Sequence, residues 1–125
     1  MDIATAITSV LSKYVGFQGR ARRSEYWWWF LASFIFYLVA ETLDRFVDPP
    51  PAGAVIYFGL IYKLAILALF LPSLAVTVRR LHDTNRSGFW IFIAIVPIIG
   101  WILLLYWYCM KGTSGQNQYG PDPAG

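Results

Sequence analysis

Val78-Arg79-Arg80-Leu81-His82-Asp83-Thr84-Asn85-Arg86-Ser87-Gly88-Phe89-Trp90 gathers three arginines, the chain's single histidine, an aspartate and a glycine into one polar island. Apolar runs that read as membrane spans lie on both sides, over 54–78 and 89–110. Ionisable groups are costly within hydrocarbon, so charge confined between two such runs marks a membrane surface. On this reading the island is a surface loop, and the fold is an all-α polytopic membrane protein.

Composition agrees. The 125 residues are 58% apolar and only 14% charged. Soluble domains are nearer 45–50% apolar and about 25% charged. The length fits one domain. The single cysteine, Cys109, excludes an intramolecular disulfide, and no metal-ligand spacing occurs. No metal and no cofactor are expected. The net charge of +3 sits beside apolar runs rather than along an exposed stripe, which argues against nucleic acid as a partner. Met1-Asp2-Ile3-Ala4-Thr5 offers no positive start for a cleavable signal, so the first span is expected to act as an uncleaved anchor.

Upstream of the island, residues 2–15 read as an amphipathic helix. Ile3, Ile7, Val10, Leu11 and Tyr14 recur at spacings of three and four. It is too short and polar to span, so it either lies in the membrane interface or packs on the protein's own surface. Gly16 and Gly19 end it, and Ser24 can cap the helix that follows. That helix, 26–46, is the first of three expected transmembrane helices and opens on the aromatic belt Tyr26-Trp27-Trp28-Trp29-Phe30. Asp48-Pro49-Pro50-Pro51-Ala52-Gly53 is a helix-incompatible turn into the second span, 54–78. Pro72 should kink that span, with Ser73 and Thr77 satisfying the loosened backbone. The third block, 89–110, is long enough to cross once. If Pro97-Ile98-Ile99-Gly100 turns the chain back, it is instead a re-entrant hairpin. The tail, 111–125, reads as irregular and solvent-exposed.

Lys13, Arg20, Arg22 and Arg23 precede the first span, and Arg79, Arg80 and Arg86 follow the second. Arg45 falls between the first two spans, and Lys111 in the tail. The positive-inside rule then puts the N-terminus and the island in the cytoplasm. With a third crossing the tail lies outside; with a hairpin it is cytoplasmic.

Several side chains are candidates for chemistry. Lys63 interrupts the second span, and a helix starting at residue 54 would bring it near Glu41, with Asp44 as second acceptor. Arg20, Arg22, Arg23, Arg79, Arg80 and Arg86, with His82, form an expected basic rim for anionic headgroups or another anionic ligand. Glu25 and Asp83 are its natural internal ion-pair partners. The plainer alternative is positive-inside charge with structural bridges. His82 and Asp83 are adjacent and so diverge on a helix, and no nucleophile accompanies them. A network role for His82 fits better than general-base catalysis.

Four segments together resemble a known family. They are Gly19-Arg20-Ala21-Arg22-Arg23-Ser24-Glu25-Tyr26-Trp27, the stretch Pro72 to Trp90, Pro97-Ile98-Ile99-Gly100, and Asn117-Gln118-Tyr119-Gly120-Pro121-Asp122-Pro123. In these the chain, from about Phe17 to Pro123, is similar to the bacterial domain-of-unknown-function 805 family. That family usually has Gly at the position of Asn85 and Trp at that of Phe89. The resemblance implies a small inner-membrane protein with a common fold. It brings no established activity, so no catalytic residue is carried over.

Three functional readings follow. The first is a non-enzymatic, homo-oligomeric inner-membrane protein whose basic rim binds anionic phospholipid or another anionic ligand. The second is an oligomeric transporter or channel subunit using Lys63 and Glu41. The third is an enzyme acting on lipid headgroups through His82 and Asp83.

Overall fold

The computed structural model describes residues 2–47, 49–54 and 57–123. Among them the chain is helical: α1 (Ile3–Ser12), α2 (Arg23–Val47), α3 (Leu60–Asp83), a 3-10 helix (Gly88–Ile95) and α4 (Ile99–Cys109). The expected turn residue Asp48, residues Val55 and Ile56 of the expected second span, and Ala124 and Gly125 of the tail lie outside the described residues, as does Met1.

Asp2 starts α1 by accepting from the Thr5 amide at 2.8 Å, and hydrogen bonds from Thr5 hold its carboxyl below the ordinary range. Of the two expected placements, α1 takes the one on the protein itself. Ala6 and Val10 are fully buried, and Val10 joins Ala21, Trp29 and Val76 in one apolar cluster.

The long helices α2 and α3 form the central pair. Small residues mark their buried positions, Ser33 and Ala40 on α2 and Ala65 and Ala75 on α3. Close backbone approach of this kind drives helix association where no hydrophobic effect operates. The Trp29 indole also donates to Ser73 Oγ at 3.0 Å. By length and composition α3 alone, among the described residues, passes as a membrane-crossing helix. It does not occupy 54–78, however. It starts at Leu60, because the Asp44 carboxylate, buried on α2, accepts from the Ile61 and Tyr62 amides at 2.9 and 2.8 Å. The orphan donors of one helix are thus capped by a side chain of the other. At its far end α3 runs on through Arg79 to Asp83, so the first half of the expected loop is helix.

Pro72 lies inside α3. The expected repair by Ser73 and Thr77 is not what forms. Ser73 receives Trp29, Thr77 donates back to the Ser73 carbonyl at 2.7 Å, and the Ala68 carbonyl is taken by the Tyr14 hydroxyl from beyond α1.

The block 89–110 is not one continuous helix but a hairpin of two short helices, the shape of the hairpin alternative. The Pro97 carbonyl accepts from the Ile99 amide at 2.8 Å around Ile98, whose φ is +67°. A Cβ at residue 100 would overlap the Ile93 carbonyl, so Gly100 permits the close approach of the two arms. The Trp101 indole donates to the Ala94 carbonyl at 2.9 Å and clamps the turn. The chain therefore returns to the end of the molecule carrying the arginines. There α4 buries Leu104, Trp107 and Tyr108 against Leu81. The tail is not loose in solvent either. It closes on itself through a bridge between Asn117 and Gly120 and docks on the end of α3.

Candidate functional site

The arginine end is built on three buried guanidinium groups. Arg79 and Arg80, consecutive on α3, are fully buried, and Arg20 is 6% exposed. Their backbone supports differ. Arg20 leads into α2 on an extended stretch whose Ala21 amide donates to the Arg79 carbonyl at 2.9 Å. Arg79 and Arg80 ride the last two turns of α3 and diverge around its axis.

Arg79 reaches Glu25 at 2.9 Å, and the same carboxylate oxygen accepts from Ser9 at 2.8 Å. One carboxylate therefore ties α1, α2 and α3 together. Asp83 holds the other two: Arg20 at 2.9 Å and Arg80 at 2.5 Å. Glu25 and Asp83 are the internal counter-ions, and both are themselves buried.

The remaining donors of Arg80 and Arg20 close backbone that the fold leaves open, whereas Arg79 Nε and Nη2 stay buried without a hydrogen-bond partner among the described residues. Arg80 Nε donates to the Tyr108 carbonyl at 3.2 Å, and Nη2 donates to the carbonyls of Trp107, at 3.4 Å, and Met110. These are carbonyls at the C-terminus of α4, where a helix lacks acceptor partners and favours cations. Arg23 adds a bond to the Cys109 carbonyl at 3.0 Å, and the Trp27 indole one to Tyr108 at 3.0 Å. Arg20 staples the tail by donating to the carbonyls of Gly115, at 2.6 Å, Gly120, at 3.2 Å, and Thr113.

The tail also covers His82. Tyr119 stacks on the imidazole with ring centres 4.0 Å apart and planes within 3°. His82 Nδ1 lies 2.9 Å from the Gly19 carbonyl, which can only accept, so Nδ1 carries the proton. The Asn117 amide donates to the His82 carbonyl at 2.9 Å, and the Thr113 amide to the Asp83 carbonyl at 2.7 Å. Residue 112 must be glycine, since a Cβ there would overlap the Asp83 carboxylate.

The expected basic rim therefore divides. Arg20, Arg79 and Arg80 are internal cross-links and present no free face. Arg86 lies over the Trp107 ring at 4.5 Å, and His82 is half-buried under Tyr119. Arg22 and Arg23, with Lys111, border an open cavity of about 500 Å³ that Ser24, Trp27, Asp83, Cys109, Gly112 and Asp122 complete. Lys111 escaped sequence reasoning because a straight third span puts it at the opposite end. The signal for it was Pro97-Ile98-Ile99-Gly100. Asp122 escaped because the tail read as loose. Its carboxylate lies 4.0 Å from Arg20 and accepts from the Gly115 amide at 3.2 Å.

The expected Lys63–Glu41 pair is absent. Glu41 binds Arg45 one turn along α2 at 3.1 Å, and Asp44 is occupied as the cap of α3. Lys63 is exposed in the first turn of α3. A start at Leu60 rather than residue 54 shifts Lys63 about 9 Å toward the helix end. The polar path of the transport reading loses its two lining groups. His82 and Asp83 likewise engage separate partners. Among the described residues, no three His, Cys, Asp or Glu side chains converge as a metal would require.

Comparison with known proteins agrees with the arrangement of motifs. The family model for proteins of unknown function designated DUF805 matches residues 14–121. The chain is similar to the inner membrane protein YhaH of Escherichia coli (strain K12), 45% identical over 114 residues, covering 91% of this chain and 92% of that one. It is similar to the inner membrane protein YhaI of the same strain, 46% identical over 115 residues and 92% of each chain. It is also 36% identical to that strain's uncharacterized protein YiiR, covering 85% of this chain and 84% of the other. No solved structure matches.

Proposed function

Given that the chain belongs to the DUF805 family, we propose that it is a non-enzymatic inner-membrane protein whose basic end holds anionic lipid headgroups. Inner-membrane location is supported by the names of its relatives. In this reading α2 and α3 are the crossing helices. Their 25 and 24 residues reach about 36 Å, enough for a hydrocarbon core of about 30 Å. The hairpin of the 3-10 helix and α4 enters and leaves by one face, and the three-span alternative is set aside.

That arrangement gathers Lys13, Arg20, Arg22, Arg23, Arg79, Arg80, Arg86 and Lys111 at one end and leaves Arg45 and Lys63 at the other. The positive-inside rule then makes the N-terminus and the tail cytoplasmic.

One observation carries the lipid reading. Among the described residues, Arg22, Arg23, Arg86 and Lys111 have no carboxylate within ion-pair distance, while Glu25 and Asp83 are consumed by buried arginines. Each surplus cation at an anionic membrane surface contributes on the order of 1 kcal/mol. Self-association belongs to the same reading, because the 3-10 helix has no buried residue in the monomer. Cross-linking in native membranes that yields monomer alone would remove that part.

The test is the composition of the lipid shell. The full chain, extracted with its surrounding bilayer, should carry anionic phospholipid enriched over the bulk membrane. The combined variant Arg22→Gln, Arg23→Gln, Lys111→Gln should lose the enrichment, and Arg45→Gln should keep it. Equal enrichment in both variants rejects the proposal.

A further inference from the structure

The basic cavity does not end at its polar walls. Ser24 and Trp27 also line an apolar groove of about 260 Å³, completed by Trp28 and Leu31. These four residues follow one another at spacings that lie on one stripe of α2. The groove therefore runs from the cavity down the first two turns of the helix, about 10 Å along its axis. Trp27 and Trp28 belong to the aromatic belt that marks the level between headgroups and hydrocarbon.

The cavity has the chemistry of an anion site. Arg22, Arg23 and Lys111 border it. Arg22 stands just before α2, and its carbonyl accepts from the Tyr26 amide at 3.2 Å, but its side chain has no oxygen to cap the earlier amides of the first turn, which lack acceptors within the helix. Those amides and the helix dipole favour a negative group. The hydroxyl oxygen of Ser24, buried in the cavity wall, has no hydrogen-bond partner among the described residues. Arg23 spends one donor on the Cys109 carbonyl and retains the rest of its five.

Opposing groups are present and already occupied. Asp83 is shared by Arg20 and Arg80, Asp122 lies beside Arg20 and the Gly115 amide, and the carbonyls ending α4 are capped by Arg80, Arg23 and Trp27.

We propose that cavity and groove form one site for a single anionic glycerophospholipid, its phosphate held by Arg22, Arg23, Lys111 and the start of α2, and an acyl chain laid along Trp27, Trp28 and Leu31. The site rests on the lipid-binding reading above and sharpens it from a general surface attraction to one saturable lipid per chain. The phosphate alone would suit a soluble phosphate ester equally well. The groove is what selects a lipid.

The test uses the full chain in phosphatidylcholine bilayers doped with phosphatidylglycerol, released intact for native mass spectrometry. One phosphatidylglycerol per chain should be retained at saturation, and an excess of glycerol 3-phosphate should not displace it. Arg22→Gln or Arg23→Gln should each weaken retention about five-fold. Leu31→Trp, at a half-exposed position, should fill the groove and reduce retention while the lipid shell stays enriched in anionic lipid. Leu67→Trp, on an exposed part of α3, should change nothing. Phosphatidylglycerols of decreasing chain length should be held progressively less well, a comparison that needs no variant. Displacement by glycerol 3-phosphate together with indifference to Leu31→Trp and to chain length would overturn the site as a lipid site. An enriched shell without a discrete adduct would overturn the site and leave the proposed function standing. Loss of all enrichment in the unaltered protein would overturn both.

Discussion

The hydroxyl of Tyr14 donates to the carbonyl of Ala68, four residues before Pro72. The relationship is compensatory. Proline has no N–H, so the carbonyl four residues earlier loses its helical partner. In the proposed span no water would replace it, and an unmet carbonyl is costly. Tyr14 lies just past the end of α1 and supplies the donor from a separate segment. Tyr14→Phe should therefore destabilise the protein by about 1 kcal/mol. In a Pro72→Ala background the carbonyl regains its helical amide, and the same substitution should cost close to nothing. Unfolding of the four proteins in a double-mutant cycle measures the coupling. Strict additivity would mean that the tyrosine does not make good the loss at Pro72.

Asp83 is the second point on which the fold depends, because two buried guanidinium groups share its carboxylate. Removing one partner of a buried ion pair costs about 3–5 kcal/mol, since the other charge stays buried and unmet. Asp83→Ala should destabilise the chain on that scale and free the tail, read as faster trypsin cleavage after Lys111. Arg20→Lys should release the tail with a smaller loss. An ammonium replaces the carboxylate contact but not the planar fork that reaches three tail carbonyls. Cleavage rates unchanged in both variants would show that the tail is held elsewhere.

Legibility in the sequence followed the range of the interactions concerned. The start of α2 could be read to within three residues, because its signals are local: a basic turn and the aromatic run; Ser24, expected as the cap, lies inside the helix and its hydroxyl caps no amide among the described residues. The start of α3 could not. Residues 54–59 continue the apolar pattern, and what fixes Leu60 as the first helical residue is Asp44 on another helix. That error carried Lys63 inward and paired it with Glu41. Glu25 and Asp83 were legible as counter-ions because the basic end holds few other carboxylates. The burial of Arg20 and Arg80 was not, because it depends on the return of α4 and the tail. The carbonyls those arginines cap come from 107–120, far along the chain, and arrive only once the hairpin has closed.

Asn85 explains a departure from the family pattern in physical terms. Its φ is +61°, in the left-handed region. The Asn85 amide bonds to the His82 carbonyl at 2.9 Å and the Arg86 amide to that of Leu81 at 3.0 Å, the pair of bonds that closes a helix in the Schellman arrangement. Glycine meets this conformation without strain, and asparagine is the best-tolerated side chain. Asn85→Gly should leave stability unchanged or slightly raised, and Asn85→Val should lower it by about 1–2 kcal/mol. Thermal melts in one detergent suffice. Equal tolerance of valine and glycine would exclude this ending of α3.

Ile98 is strained more severely, and the strain is accessible to experiment. A β-branched residue at φ +67° and ψ −65° lies outside the regions that L-residues favour. The Pro97 to Ile99 bond around it is a γ-turn of the rarer, positive-φ kind. Such conformations cost on the order of 1–3 kcal/mol and persist only where the surroundings enforce them. Here Gly100, the Trp101 clamp and the packing of α4 on Leu81 enforce the return of the chain. Ile98 itself is largely exposed, so truncating it removes little packing. Ile98→Gly should then raise stability by about 1 kcal/mol, the relieved strain exceeding the chain entropy that glycine adds. Ile102→Gly, at an exposed position inside α4, should lower it by a similar amount. If both substitutions destabilise equally, residues 97–99 do not form this turn in the membrane, and the block crosses as one helix.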